Sequence, residues 1–222
     1  MYTSLTIWNL EQPLRDCLRY ADPERKIPLV FFHRESDGTH IQSMAGMRYS
    51  AHSLFAIGET HSELLQENTA LLVKLLKAKF PQITFNLKTG PCSLSVGNEL
   101  KLYKSQHCVI SGSRGKRRSL FDHWKGELTA EQKEYLTDMI KRALHRQQAG
   151  MLNSDFPEEE IIIGDMKANA CSPLPMKNGG HYRSRANITF KSNIQIQGPW
   201  HCGGVTHKGN GKIIVVPTGE NS

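Results

Sequence analysis

The sequence predicts an α+β protein: an N-terminal ferredoxin-like (RRM-like) β-α-β-β-α-β domain over residues 1–90, then a β-rich domain over 91–222 with an arginine-rich helical insertion. Three observations carry this. Apolar residues switch between period 2 and period 3.6 in the order strand, helix, strand, strand, helix, strand through the first part of the chain. A long alternating run, Asn187 to Gln197, and Gly-rich punctuation mark the C-terminal part as β-rich. Between them a dense basic run leads into a capped amphipathic helix.

Taken in order, Tyr2 to Trp8 alternates around Leu5 and Ile7 and reads as a strand. Pro13 suits a first helical turn, and Leu14, Cys17 and Leu18 give one apolar stripe that ends near Ala21-Asp22-Pro23. Ile27 to Phe32 reads as a second strand, Asp37-Gly38 as a hairpin turn, and Ile41 to Tyr49 as the returning strand. Thr60 and Glu63 have capping-box spacing ahead of a helix with Leu64, Leu65, Asn68, Leu71, Leu72, Leu75 and Leu76 on one stripe. That helix stops before Pro81, and Ile83 to Leu87 alternates as the last strand of the unit.

The second part opens with two short strands, Ser93 to Val96 and Leu100 to Lys104, separated by Gly97-Asn98; Val109-Ile110 extends the second. Thr129 and Gln132 form another capping-box pattern, before a helix carrying Leu136, Met139, Ile140, Ala143 and Leu144 to about Gln148, closed by Gly150. An acidic loop, Asp155 to Glu160, precedes a strand at Ile161–Ile163. Gly198-Pro199, Gly203-Gly204 and Gly209-Asn210-Gly211 are turns, and Ile213 to Val216 is a closing strand.

Charge is segregated. From Lys101 to Lys125 seven cations (Lys101, Lys104, Arg114, Lys116, Arg117, Arg118, Lys125) face one acid, Asp122, a net +6. From Lys177 to Lys212 six cations occur with no acid, so the remainder of a +7 chain is net acidic. With pI near 9.2, this is the footprint of a polyanion binder, and nucleic acid is the favoured partner. An anionic membrane would call for charge along an amphipathic helix, whereas the densest charge here lies in a Gly/Ser-containing turn. No apolar run approaches the roughly 20 residues of a transmembrane helix, and the N-terminus lacks a signal-peptide pattern. The five scattered cysteines form no Cys-x-x-Cys pair, which argues against a disulfide framework or zinc ribbon and for a reducing, cytoplasmic setting. No metal and no cofactor are expected: histidines lack ligand spacing, and no Walker or Gly-x-Ser-x-Gly motif occurs.

Arg114, Lys116, Arg117 and Arg118, with Lys125, are the first candidate RNA contacts. Arg114, Arg117 and Arg118 share a face if their turn is helical, and guanidiniums fork onto phosphates or guanine edges. The alternative is a solvated basic loop. In the tail, His207, Lys208 and Lys212 lie among glycines that admit close backbone approach to phosphate, or form a plain hairpin turn. His181-Tyr182-Arg183-Ser184-Arg185 gathers the group types that RNA cleavage by a 2′-hydroxyl needs, although Arg183 and Arg185 equally suit simple phosphate contact. In the first domain Arg19, His33 and Arg34 fall on a neighbouring helix and strand and converge near the sheet edge, or are ordinary surface residues.

The stretch Arg117-Arg118-Ser119-Leu120 through Glu131, with Leu128-Thr129 ahead of the helix, resembles the arginine-rich helix region of the crRNA-maturation endoribonucleases of CRISPR systems, in the RAMP superfamily. Gly198-Pro199 to Pro217 resembles their closing segment, and the branch indicated is the type I-F repeat endonuclease or its type IV relative. The resemblance implies binding of a repeat hairpin, with Arg114, Lys116, Arg117 and Arg118 gripping the stem. It also implies metal-independent cleavage at the hairpin's 3′ base by 2′-hydroxyl attack, and retention of the product in an effector complex with other subunits. Tyr182 and Ser184 fall near the family's Ser-containing loop, and His207 near a position that is aromatic in the type I-F branch. That branch carries its general-base histidine in the first helix, where this chain has only Arg15, Arg19 and Tyr20. Either His33 substitutes, or arginines such as Arg19 and Arg34 stabilise the transition state without a base. A hairpin-binding subunit that does not cut is the rival reading, and an RNA-hairpin protein outside CRISPR the third.

Overall fold

The computed structural model describes residues 1–33, 46–110, 120, 121, 124, 126–154, 157–175, 182–204, 206 and 210–217. The first sheet is antiparallel, in the order β2-β3-β1-β4, with β1 Tyr2–Trp8, β2 Met47–Tyr49, β3 Ser53–Ile57 and β4 Thr84–Gly90. Helices α1 (Leu14–Ala21) and α2 (Glu59–Lys79) supply the two crossovers and complete a β-α-β-β-α-β unit. Leu5 and Ile7 of β1 and Leu54 and Ala56 of β3 point to one face, where they pack with Leu14 and Leu18 of α1 and Leu65, Leu72 and Leu76 of α2.

The order is the expected one, yet two of its strands are elsewhere. Leu29–Phe32 is a 3₁₀ turn after Pro28, not a strand, and it buries Phe31 and Phe32. A short apolar run does not distinguish a strand from a buried turn, and Pro28 denies the ladder a donor. The inner hairpin is instead Met47–Tyr49 with Ser53–Ile57, register Arg48↔Phe55. The Asp37-Gly38 turn lies outside the described residues. Helix α2 begins one residue before Thr60: its N-cap is Gly58, at φ 89°, with no side-chain cap. A Cβ at Gly58 would sit 2.3 Å from the Met151 carbonyl oxygen, so close approach of the Met151 backbone fixes glycine there.

The second sheet is antiparallel, in the order β6-β7-β5-β9-β8: β5 Ser93–Val109, β6 Ile163–Pro175, β7 Tyr182–Gln197, β8 Trp200–His201 and β9 Lys212–Val215. Gly97-Asn98 is not a turn between two strands; it lies within β5, where pairing with β7 shifts register between Val96 and Lys101. The strand expected at Ile161 starts at Ile163, since Ile161 is buried after a 3₁₀ turn at Glu158–Glu160. Helix α3 (Ala130–Leu152) carries the expected capping box: Thr129 Oγ1 accepts from the Gln132 N–H and Gln132 Oε1 from the Thr129 N–H. It runs through Gly150 to Leu152 and ends on Asn153 in the left-handed region. Leu136, Ile140 and Leu144 of α3 pack on Tyr103, Ile188, Phe190 and Ile194, and Ile57 of the first sheet joins this core. The insertion's basic residues, 111–119, lie outside the described residues.

Candidate nucleic-acid interface

The pleat of β7 places Ala186, Ile188 and Phe190 inward against α3 and Arg183, Arg185, Asn187, Thr189 and Lys191 on the opposite face. Register carries that face across the sheet. Thr189 lies opposite Lys167 of β6 on one side and Lys104 of β5 on the other, and Lys104 lies opposite Ile214 of β9. Lys212 follows at the next outward position of β9, opposite Gln106. The face thus collects Lys104, Lys167, Arg183, Arg185, Lys191 and Lys212. Asp165 ion-pairs Lys191 at 2.7 Å, which holds its carboxyl below the usual range. Arg185 Nε donates to the Ser172 carbonyl at 2.7 Å, so its guanidinium is aimed by β6.

This face meets the helix-free face of the first sheet. Lys212 Nζ lies 5.3 Å from the centroid of the Phe55 ring, and Phe55 pairs with Arg48 on β2 and Ser4 on β1. His201 pairs with Lys212 on the same face, is 2% exposed, and donates its backbone N–H to Gln147 Oε1 of α3 at 3.3 Å. Burial, then the Arg48 and Lys212 charges, push its imidazole down to about 3. Burial and Arg48 also lower His61, and burial lowers the 3%-exposed Arg48 to about 10. The two sheets therefore meet around a cationic seam in which the imidazoles are held neutral.

The flanks of the basic run are pinned beside Arg183 and Arg185. The Ile110 N–H donates to the Ser184 carbonyl at 2.9 Å, and Ser184 Oγ donates to the Phe121 carbonyl at 3.1 Å. Gln132 Nε2 donates to the Leu120 carbonyl at 2.6 Å, and the Phe121 ring packs on Trp124 and Tyr135. Both ends of segment 111–119 are thus tied to Ser184, between two of the face's arginines.

On the first sheet, Arg15, Arg19 and His33 gather around Phe32. Arg15 Nη2 donates to the Phe32 carbonyl at 3.2 Å, and Arg19 is exposed with its Cζ 5.4 Å from the Phe32 ring centroid. His33 does not end a strand. It closes the 3₁₀ turn at φ 60°, is 5% exposed, and its Nε2 lies 2.7 Å from the Met47 carbonyl oxygen. A carbonyl only accepts, so Nε2 carries the proton and Nδ1 is the unprotonated nitrogen of the neutral ring. Tyr49 stands beside them: its hydroxyl is buried with no hydrogen-bond partner among the described residues, and burial raises its pKa while Arg15 and Arg19 lower it.

Arg34, Arg114, Lys116, Arg117, Arg118, Lys125, His207 and Lys208 lie outside the described residues. Tyr182 opens β7 opposite Pro175. Sequence reasoning missed Lys104 and Lys167 as members of the cationic face, and Arg48, Phe55 and His201 as members of the seam. Period-2 alternation on β7 was the available signal, but partners across the ladder need the register. Among the described residues no group of three or more His, Cys, Asp or Glu could hold a metal ion, and no helix is long and apolar enough to cross a membrane.

A four-stranded split βαβ sheet set against a five-stranded sheet with one cationic face defines the class, an α+β protein of two antiparallel sheets. The family model of the Type IV CRISPR-associated endonuclease Csf5 matches residues 9–217, and the chain belongs to that family of Cas6-like CRISPR endonucleases. Among solved structures it is similar to "Csf5, CRISPR-Cas type IV Cas6 crRNA endonuclease", with 18% identity, 97% of this chain and 98% of that one covered, and a TM-score of 0.67. It is also similar to a crystal structure of Cas6b, with 13% identity, 97% and 100% covered, and a TM-score of 0.69. A CRISPR RNA processing endoribonuclease, also Cas6b, gives 12% identity, 97% and 98% covered, and a TM-score of 0.58. At such identities the likeness is one of fold. No curated protein matches the chain.

Proposed function

We propose that this protein binds the hairpin of a CRISPR repeat RNA across the cationic face of its second sheet, cuts the RNA at the hairpin's 3′ base without a metal, and stays on the mature crRNA as an effector-complex subunit. The carrying observation is the single face shared by Lys104, Lys167, Arg183, Arg185, Lys191 and Lys212, with both ends of the run holding Arg114, Lys116, Arg117 and Arg118 tied to Ser184. Several cations on one face, with Asp165 committed to Lys191, suit phosphate contact along a duplex stem.

In the cut, the 2′-oxygen attacks the adjacent phosphorus, the 5′-oxygen leaves, and the products are a 2′,3′-cyclic phosphate and a 5′-hydroxyl. The 2′-hydroxyl proton leaves to a base, and the leaving oxygen takes one up. Arg19 with Arg34 would neutralise the phosphorane, His33 through Nδ1 is the candidate base, and Tyr182 a candidate proton donor. The burial of His33 favours an arginine-led, slow enzyme, and it is also what supports the second reading, a subunit that binds without cutting.

Incubation with 5′-labelled repeat RNA in EDTA decides between them. A product ending in a cyclic phosphate supports the enzyme; a hairpin that shifts on a gel but stays intact sinks it. Alanine at Arg117 and Arg118 is expected to weaken hairpin binding and flatten its salt dependence, and an unchanged affinity and slope would reject the grip.

A further inference from the structure

Residues 68–98 form another acid-free stretch, beside that from Lys177 to Lys212, carrying Lys74, Lys77, Lys79 and Lys88 with no Asp or Glu. Its charge is not on the face described above. Lys74 and Lys77 lie three apart on exposed positions of α2, one turn before its end. Lys77 Nζ sits 5.6 Å from the ring centroid of Phe85 on β4, and Lys79 Nζ 5.8 Å from that of Tyr20 on α1. Tyr20 packs on Phe80 at 6.3 Å, so the ends of both helices and the edge strand share one surface. Tyr20 is 67% exposed and Phe85 43%, unusual for side chains of this size.

Lysines interleaved with exposed aromatic rings are what sequence-tolerant single-stranded RNA binding uses: rings stack on bases and ammonium groups follow the phosphates. The nearby carboxylates are mostly engaged. Asp22 accepts the N–H groups of Lys26 and Ile27, and Glu24 is paired with Lys26, leaving Asp16 one turn back on α1. The surface also adjoins the candidate cutting site, because Arg19 and Tyr20 are consecutive on the last turn of α1, Arg19 toward Phe32 and Tyr20 toward Phe80.

We propose that the surface formed by Tyr20, Lys77, Lys79 and Phe85 is a second RNA contact, which holds the single-stranded segment flanking the hairpin. The proposal rests on the reading of the chain as a hairpin-RNA endonuclease, with Arg19 near the scissile phosphate. β4 is an edge strand whose outer side pairs with no described strand, and an acidic protein strand would be the other occupant. Lys88 in that strand disfavours strand addition, as edge lysines generally do, and the lysines repel a second copy of this surface.

The test uses the full chain, a 12-nucleotide oligouridylate, and a repeat hairpin with and without an oligouridylate tail. Lys77→Glu with Lys79→Glu should weaken oligouridylate binding at least tenfold and remove the gain in affinity that the tail confers, leaving the tailless hairpin within twofold. Log affinity against log salt should flatten by about 1.4, two phosphates' worth for a single strand. Lys77→Arg with Lys79→Arg should restore binding. Tyr20→Ala alone, at a position exposed enough to leave the fold intact, should cost oligouridylate affinity with little change in salt slope. Equal losses for both RNAs, no loss for either, or competition by octaglutamate as strong as by oligouridylate would each overturn the proposal. Failure of the hairpin to be cut would reject the enzyme reading without touching the oligouridylate result.

Discussion

Replacing His201 by Gln tests whether the seam between the sheets is held together by a histidine kept neutral. In the folded chain the imidazole is 2% exposed, and its pKa falls from 6.5 to about 3, first through burial and then through the Arg48 and Lys212 charges. The sign follows from linkage. A depressed histidine pKa means that the unfolded chain takes up a proton the folded chain refuses, so the stability is present in full above pH 6.5 and is lost as pH falls toward 3. Between pH 7 and pH 5 the unfolded imidazole goes from mostly neutral to almost wholly charged, while the folded one stays neutral. Integrating that difference gives a loss of about 2 kcal/mol.

The glutamine that replaces it cannot titrate. Urea unfolding followed by tryptophan fluorescence, to which the buried Trp200 next door contributes, should show wild type losing about 2 kcal/mol more than His201→Gln over this interval. Groups other than His201 that titrate over this interval contribute equally to both proteins and cancel. Parallel profiles, agreeing to within about 0.5 kcal/mol, would refute the argument. They would mean that His201 reaches water or finds an acceptor. A neutral His201 also bears on chemistry: beside two cations it cannot add a third charge at pH 7, so it shapes the seam rather than gripping phosphate.

Other expectations are more local. Arg19→Ala should cut the single-turnover cleavage rate about 10²- to 10³-fold while hairpin affinity holds, as for loss of one transition-state donor; equal loss of binding would make Arg19 a grip residue. Thr129→Ala removes one half of the α3 capping box and should cost about 1 kcal/mol, read as a fall of about 2–4 °C in a thermal melt. Gly211 has φ 73° and its Cβ would stand 1.8 Å from the Cys202 carbonyl oxygen, so Gly211→Ala should destabilise by about 2–4 kcal/mol in urea. Gly150 sits inside α3 with nothing within 4 Å of a Cβ, so Gly150→Ala should instead stabilise by about 0.5–1 kcal/mol.

Where side chains followed a period or a cap, the sequence was readable. Leu5 and Ile7, the Thr129–Gln132 capping box and the β7 alternation each carry a local signal, and each stands where it was expected. Errors fell where local signals were ambiguous. Leu29–Phe32 is as apolar as a strand, and its burial by a 3₁₀ turn depends on contacts with α1 and β2 that no window contains. Ser53–Ile57 was invisible beside Ser50-Ala51-His52, a loop composition, although Leu54 and Ala56 do alternate with Phe55. Thr60 had cap spacing, yet the helix starts from Gly58, where the Met151 carbonyl, 93 residues away along the chain, leaves no room for a Cβ. Tertiary contact outweighed local propensity there.

Charge shows the same division between what is local and what is not. The run from Lys177 to Lys212 is legible as acid-free, but only the two-residue pleat of β7 turns Arg183, Arg185 and Lys191 into one face. Only the ladder adds Lys104, Lys167 and Lys212 from strands that begin and end far away in sequence. On the proposed function an RNA stem would meet that face as a surface, so the +6 net charge of the segment is a poorer measure of grip than the spacing of those cations across neighbouring strands, about 4.8 Å apart. The seam fixes where the face stands. His201 is tied to Gln147 of α3 through its N–H, while its partner Lys212 lies over Phe55 of the first sheet. A change in that seam moves the cations relative to Arg19 on the far side of the first sheet. His201→Gln should therefore disturb cleavage more than hairpin affinity, because affinity tolerates small displacements of screened charges and in-line attack does not.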